Sequence, residues 1–136
     1  MILITGGAFQ GKLEAAEQIY KIQHPGKQPV VAEGERAETG ELHKADIICH
    51  FHLWLKRMLQ EGKDPYPMAE TLLKGNPDVI LVMNQLGCGI VPMDRFDREY
   101  RELTGRMGCV LARQAEEVYL VNCGIAKRLK QEPGRS

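Results

Sequence analysis

The sequence predicts an α/β fold, a mainly parallel sheet of about five strands with helices on both faces. Two observations carry that expectation. Short apolar runs recur along the chain, and stretches whose apolar residues follow helical spacing lie between them. The first run leads directly into a glycine-rich turn, as a buried parallel strand does before its crossover helix.

Met1 to Thr5 is that first strand, closed by Gly6-Gly7. From Gly11 to Ile22 the residues Leu13, Ala16, Ile19 and Tyr20 recur at helical spacing, and His24-Pro25-Gly26 stops the helix. Pro29 to Ala32 reads as a second short strand. The polar stretch Glu33 to Lys44, with Gly34 and Gly40, reads as a loop. Asp46 to His50 reads as a third strand, with a helix through Leu53, Trp54, Leu55, Met58 and Leu59 behind it. Gly62 to Pro65 breaks that helix, and Pro67 to Lys74 forms another. Asp78 to Met83 is the strongest buried-strand signal, and a glycine-rich loop, Asn84 to Pro92, follows it. Phe96, Tyr100, Leu103, Met107, Val110 and Leu111 mark one apolar face of a long helix. Glu117 to Asn122 supplies a last strand. Residues 1–130 are expected to form one domain and 131–136 a loose polar tail, with no repeat or linker.

Composition narrows the partners. Eighteen basic residues balance eighteen acidic ones, so no charge excess points to nucleic acid or to an anionic membrane. The longest apolar runs are too short to span a bilayer, and the opening residues lack the basic flank and cleavage site of a signal peptide. Cys49, Cys88, Cys109 and Cys123 form no C-x-x-C pair and no ladder of short spacings, which suits a reducing compartment such as the cytoplasm.

Gly6-Gly7-Ala8-Phe9-Gln10-Gly11-Lys12 satisfies G-x-x-x-x-G-K, and it lies between a strand and a helix, where a phosphate loop must lie. Glycines let successive backbone N–H groups turn inward, the helix N-terminus adds its positive dipole, and Lys12 reaches the phosphates as a point charge. The next position departs from the pattern. A Ser or Thr hydroxyl there would ligate magnesium, and Leu13 offers no oxygen to a cation that takes oxygen ligands. The expected phosphate-binding residues are thus Gly6, Gly7, Ala8, Phe9, Gln10, Gly11, Lys12 and Leu13.

Two stretches together resemble the cobinamide kinase/cobinamide-phosphate guanylyltransferase family of cobalamin biosynthesis. One is Ile2-Leu3-Ile4-Thr5-Gly6-Gly7-Ala8 with Gly11-Lys12. The other runs from Val82-Met83-Asn84-Gln85-Leu86-Gly87-Cys88-Gly89-Ile90-Val91-Pro92 through Tyr100-Arg101-Glu102-Leu103-Thr104-Gly105-Arg106 to Glu117-Val118-Tyr119-Leu120-Val121 and Gly124. Ile47 to Leu59, with Leu53-Trp54-Leu55, resembles the family's third strand and following helix. The resemblance implies a P-loop NTPase-like fold, a propeller-like trimer, GTP or ATP as nucleotide and a corrinoid as substrate. Its chemistry is phosphorylation of adenosylcobinamide, then transfer of GMP through a guanylylated histidine.

Residue by residue, that chemistry is not matched. The family's loop usually reads G-G-x-R-S-G-K-S, and Phe9, Gln10 and Leu13 stand at its Arg and two Ser positions. Cys49-His50 stands where the family has an acid followed by cysteine, and Met83-Asn84-Gln85 where it has Thr-Asn-Glu. A hydroxyl and two carboxylates associated with magnesium are therefore replaced by Leu13, Cys49 and Gln85, which argues against Mg²⁺ and against the original phosphoryl transfer. The family's histidine lies in an Arg-His-Arg-like helix between the second and third strands. Here that interval is compressed to Glu33 to Ala45, and His43 lacks the flanking arginines, so the guanylylation site is not carried onto it.

Cys49-His50-Phe51-His52 is the densest cluster of metal-capable side chains. In a strand Cys49 and His50 point to opposite faces, and in a helix neighbours also diverge, so no metal site is assigned. Cys49, His50 and His52 lie at the carboxyl end of a strand, where α/β sheets bind ligands, and count as candidate ligand contacts. So do Asn84, Gln85, Gly87 and Gly89; Cys88 has no adjacent activating group.

The leading reading is a homo-oligomeric, cytoplasmic protein that binds a nucleotide or other phosphate-bearing molecule, or a corrinoid, with little or no phosphoryl transfer. Whether the chain is an enzyme stays open. The alternative is an active kinase or guanylyltransferase with a rebuilt site, using acids such as Glu33, Glu35 or Asp46. A third reading is a structural oligomer subunit with a relic phosphate loop.

Overall fold

Apolar strand residues that alternate between two helical layers build this fold. The computed structural model describes residues 1–8, 11–85 and 94–131. In chain order its elements are β1 (Ile2–Gly6), α1 (Lys12–Gln23), β2 (Val31–Glu33), α2 (Thr39–Lys44), β3 (Ile47–Cys49) and α3 (Phe51–Gln60). They continue with α4 (Pro65–Gly75), β4 (Ile80–Asn84), α5 (Arg95–Gln114), β5 (Glu117–Asn122) and β6 (Ile125–Gln131). The sheet order is β2-β3-β4-β1-β5-β6. β1 lies between β4 and β5, parallel to both, and among the described strands only β6 runs antiparallel to its neighbour.

The period of two along each strand divides the core. Ile2, Ile4, Ile47, Cys49, Ile80 and Val82 pack on the face covered by α1, against Ala15, Ala16 and Tyr20. Leu3, Ile48, Leu81 and Met83 pack on the other face, against Phe51 and Leu55 of α3 and Met107 and Leu111 of α5. Each buried Ile, Leu, Val, Met or Phe among them contributes about 1.5–3 kcal/mol by leaving water. The fully buried Phe51 stacks on Trp54 with ring centroids 5.0 Å apart.

The structure departs from the sequence expectation in two places. The interval read wholly as a loop, Glu33 to Lys44, contains helix α2. A capping box starts it: the Glu38 side chain accepts from the backbone of Glu41, and the Glu41 carboxylate accepts from Glu38 N–H at 3.3 Å. Leu42 is its buried anchor.

The second departure is a sixth strand, so the sheet exceeds the five expected. Cys123 (φ 51°) and Gly124 (φ 76°) form a two-residue reversal that folds β6 back on β5, with Asn122 opposite Ile125. Lys130 of β6 donates to the carbonyls of Ala112 (3.0 Å) and Arg113 (2.8 Å), satisfying the last turn of α5. Gln131, assigned to the loose tail, belongs to this strand; residues 132–136 lie outside the described residues.

Among the described residues, no helix is long and apolar enough to cross a membrane.

Candidate functional site

The carboxyl ends of β1 and β3 open onto a cleft of about 600 Å³. Its walls include Gly11, Lys12 and Leu13 from the turn into α1, Cys49 and His50 from the end of β3, and Asn84 from the end of β4. This is the edge at which parallel sheets present backbone N–H groups and helix N-termini to ligands.

Gly11 is the N-cap of α1 and holds a left-handed backbone, φ 84° and ψ 25°, which glycine adopts without a Cβ penalty. A Cβ here would also lie 3.2 Å from Gly124 Cα. Lys12 begins the helix and is buried, and its Nζ donates to the Gly7 carbonyl at 2.5 Å. Burial lowers its pKa. Leu13 packs against the α1-side core, so its side chain serves the fold as well as the cleft wall.

Glu33 organises the opposite wall. β2 and β3 run parallel with Glu33 in register with Cys49, so both side chains leave the same face of the sheet. The Cys49 thiol donates to Glu33 Oε2 at 3.1 Å, and His50 Nδ1 lies 2.7 and 2.9 Å from the two carboxylate oxygens. The Glu35 N–H adds a third donor at 3.2 Å. Burial pushes the Glu33 carboxyl up, but the bonds from His50, Cys49 and Glu35 outweigh it and hold the group below its usual value. Burial, reinforced by the adjacent Glu33 carboxylate, pushes the Cys49 thiol up to about 12.

The strand and helix geometries expected from sequence would separate Cys49 from His50. Neither applies at His50, which holds a left-handed backbone, φ 51° and ψ 46°, between β3 and α3. That twist turns the imidazole back onto the carboxylate that Cys49 also meets. Donor atoms of Glu33, Cys49 and His50 all lie within 4.8 Å of one another. Gly34 permits the approach, since a Cβ there would lie 2.5 Å from the His50 carbonyl oxygen, and its own N–H donates to the Cys49 carbonyl at 2.8 Å. Arg57 of α3 locks the turn by donating to the carbonyls of Gly34 (2.8 Å) and Ala37 (2.9 Å).

His52 is turned elsewhere. It is buried, its Nδ1 accepts from Asn84 N–H at 3.0 Å, and its carbonyl accepts from the Tyr100 hydroxyl at 3.1 Å. Burial, with the charges of His50 and Lys12, lowers its pKa to about 4, so the ring stays neutral and joins α3 to β4. Gln85 and Gly7 line a second cavity of about 700 Å³ between the sheet and α5. His43 sits on α2, its ring against Gly75 of α4. Phe9, Gln10, Gly87, Cys88 and Gly89 lie outside the described residues.

The family model described as cobinamide kinase / cobinamide phosphate guanyltransferase matches residues 38–129. The chain belongs to that family. It is also 46% identical over 52 residues to the bifunctional adenosylcobalamin biosynthesis protein CobU of Salmonella typhimurium, a stretch covering 38% of this chain and 29% of that relative. The protein of the same name from Escherichia coli matches to the same extent. The matched stretch thus spans less than a third of either relative's length. The family match begins after the phosphate loop, which therefore rests on its own motif and on the strand-turn-helix geometry of β1 and α1.

The group to test against the cleft is the magnesium-nucleotide complex that the resemblance implies. A phosphate would meet the α1 N-terminus and the Lys12 ammonium there. Among the described residues the metal half of the complex is poorly met: Leu13 lacks an oxygen, Cys49 presents sulfur, His50 presents nitrogen, and the carboxylates at hand are the exposed Glu14 and the Glu33 already bonded to Cys49 and His50.

Sequence reading missed the central place of Glu33, which it named only among the acids of a rebuilt site. The available signal was its position at the carboxyl end of the second strand, directly before a glycine.

Proposed function

We propose that the chain holds the phosphate groups of a nucleotide, or of another phosphate-bearing small molecule, in the cleft between the phosphate loop and the end of β3. It does so with little or no phosphoryl transfer, as an accessory protein of cobalamin metabolism. One observation carries this reading. Gly11 and Lys12 form the anion-binding corner of α1, while the positions that would ligate magnesium present Leu13 and Cys49. Phosphoryl transfer draws on metal neutralisation of the developing charge, whereas binding needs only the backbone cradle and the ammonium group. Family membership and the names of the two relatives support a guanine nucleotide and a corrinoid as ligands; ATP as the alternative nucleotide and the cytoplasm as the setting are part of the proposal.

A second reading, an active kinase or guanylyltransferase with a rebuilt site, is favoured by one feature. Glu33 brings a carboxylate to the place where the end of β3 has none.

A paired measurement separates the two. Calorimetric titration with GTP and ATP, in EDTA and in Mg²⁺, is expected to show binding that changes little with the metal. In parallel, adenosylcobinamide with GTP and Mg²⁺ is expected to yield no phosphorylated or guanylylated product above a protein-free control. Product formation that ceases in EDTA would overturn the binding-only reading in favour of the active enzyme.

A further inference from the structure

Three side chains that share hydrogens around one carboxylate also form the donor set of a soft metal ion. We infer that Glu33, Cys49 and His50 bind Zn²⁺, with the remaining coordination position open to the phosphate-loop cleft.

The donor chemistry comes first. A thiolate, an imidazole nitrogen and a carboxylate oxygen are the three ligand types zinc accepts, and three protein ligands with an open fourth position is the arrangement of reactive zinc sites. The ligand atoms lie within 4.8 Å of one another, with Cys49 Sγ 3.1 Å and His50 Nδ1 2.7 Å from Glu33 Oε2. Zinc–ligand bonds of about 2.0–2.3 Å set tetrahedral edges of roughly 3.3–3.7 Å, so the two pairs that meet at Glu33 Oε2 open by about half an ångström while the Cys49–His50 edge, within 4.8 Å, adjusts toward the same length. On binding, the ion replaces the hydrogens that now bridge these groups. The thiol proton passes to solvent and His50 takes the tautomer protonated on Nε2, which frees Nδ1, leaving thiolate and neutral imidazole as ligands.

Placement comes second. The three ligands come from the register between β2 and β3 and from the left-handed turn at His50, not from flexible surface arms. Arg57 fixes the Gly34 and Ala37 carbonyls behind Glu33, and the Glu35 N–H holds the carboxylate's Oε1. Such outer contacts orient ligands and raise affinity. His50 is half exposed and Cys49 lines the cleft, which gives the ion an entry path and an open side facing Lys12 and Gly11.

Selectivity comes third. Magnesium demands octahedral oxygen and yields its water reluctantly, and this set offers one carboxylate beside sulfur and nitrogen. Cys49, one of the residues that stands where a magnesium carboxylate is expected, is thus a ligand in zinc's set.

The site does not depend on the function proposed above, and its test contains no nucleotide, so the two claims fail separately. The full chain, reduced and stripped with chelator, is titrated with Zn²⁺ by calorimetry and with Co²⁺ by absorption spectroscopy. Expected are one ion per chain, a thiolate-to-cobalt charge-transfer band, and displacement of Co²⁺ by Zn²⁺ but not by a large excess of Mg²⁺. Cys49→Ser is expected to abolish the band and weaken Zn²⁺ binding by more than about a hundredfold. His50→Ala and Glu33→Gln should each weaken it by about ten- to a hundredfold. A triple variant with Cys88, Cys109 and Cys123 changed to serine should keep both band and affinity. Since Cys49 is buried, folding of each variant is checked by circular dichroism, and the half-exposed His50→Ala carries the test if Cys49→Ser unfolds. Unchanged affinity in His50→Ala and Glu33→Gln, a band lost in the triple variant, or competition by Mg²⁺ would each overturn the inference.

Discussion

Glu33 draws a thiol, an imidazole and a backbone N–H onto one carboxylate, and the neighbouring Gly34 makes that convergence possible. A methyl group at Gly34 would press on the carbonyls of both Cys49 and His50, backbone atoms with no rotamer to yield. Gly34→Ala is therefore expected to lower stability by about 1–3 kcal/mol, the range for overpacking a close contact. Urea unfolding checks this, and a midpoint equal to that of the wild type would contradict the tight approach. At this scale the sequence revealed residue types better than directions. The G-x-x-x-x-G-K pattern located Gly11 and Lys12 because it is local and has a fixed geometry. The alliance of Cys49 with His50 was not legible, because it depends on a positive φ at a non-glycine residue and on a partner sixteen positions earlier in the chain.

Elements were recovered where burial imposes a period. The apolar runs that became β1, β3 and β4 and the apolar spacing of α5 are patterns that a buried face enforces. Two elements escaped for physical reasons. α2 has six residues and the single buried anchor Leu42, too short for a visible helical period. β6 is mostly exposed along Ile125 to Lys130, so no alternation marks it, and its register comes from pairing with β5 and from Lys130 on the end of α5. The start of α5 rests on Asp94, whose carboxylate accepts from Asp97 N–H at 2.7 Å. Asp94→Ala leaves that donor without its cap and is expected to cost about 0.5–2 kcal/mol, with Asp94→Asn retaining most of the stability. Equal melting of Asp94→Ala and wild type would show that the cap contributes nothing.

For the whole molecule, the sheet order brings the phosphate loop at the end of β1 and the Glu33 cluster at the end of β3 to opposite walls of one cleft. The two outer strands carry exposed apolar side chains, Val31 on β2 and Ile125 and Leu129 on β6. Open strand edges of that kind are ordinarily covered. With the family's implied assembly, this leads us to expect a trimer, at three times the 15.3 kDa chain mass in light scattering. A monomer at micromolar concentration would contradict that expectation.

The central claim is that phosphate is gripped through Lys12 without help from magnesium. Thermal unfolding tests it most directly, using chelator-treated wild type and Lys12→Ala, each with and without excess GTP and each with and without Mg²⁺. A ligand far above its Kd stabilises by about 2–4 kcal/mol, which raises Tm by several degrees in a domain of this size. The expected result is a shift for wild type that is the same in both metal conditions and is absent in Lys12→Ala. A shift that needs Mg²⁺, a shift that survives the loss of Lys12, or no shift in the wild type would contradict the claim.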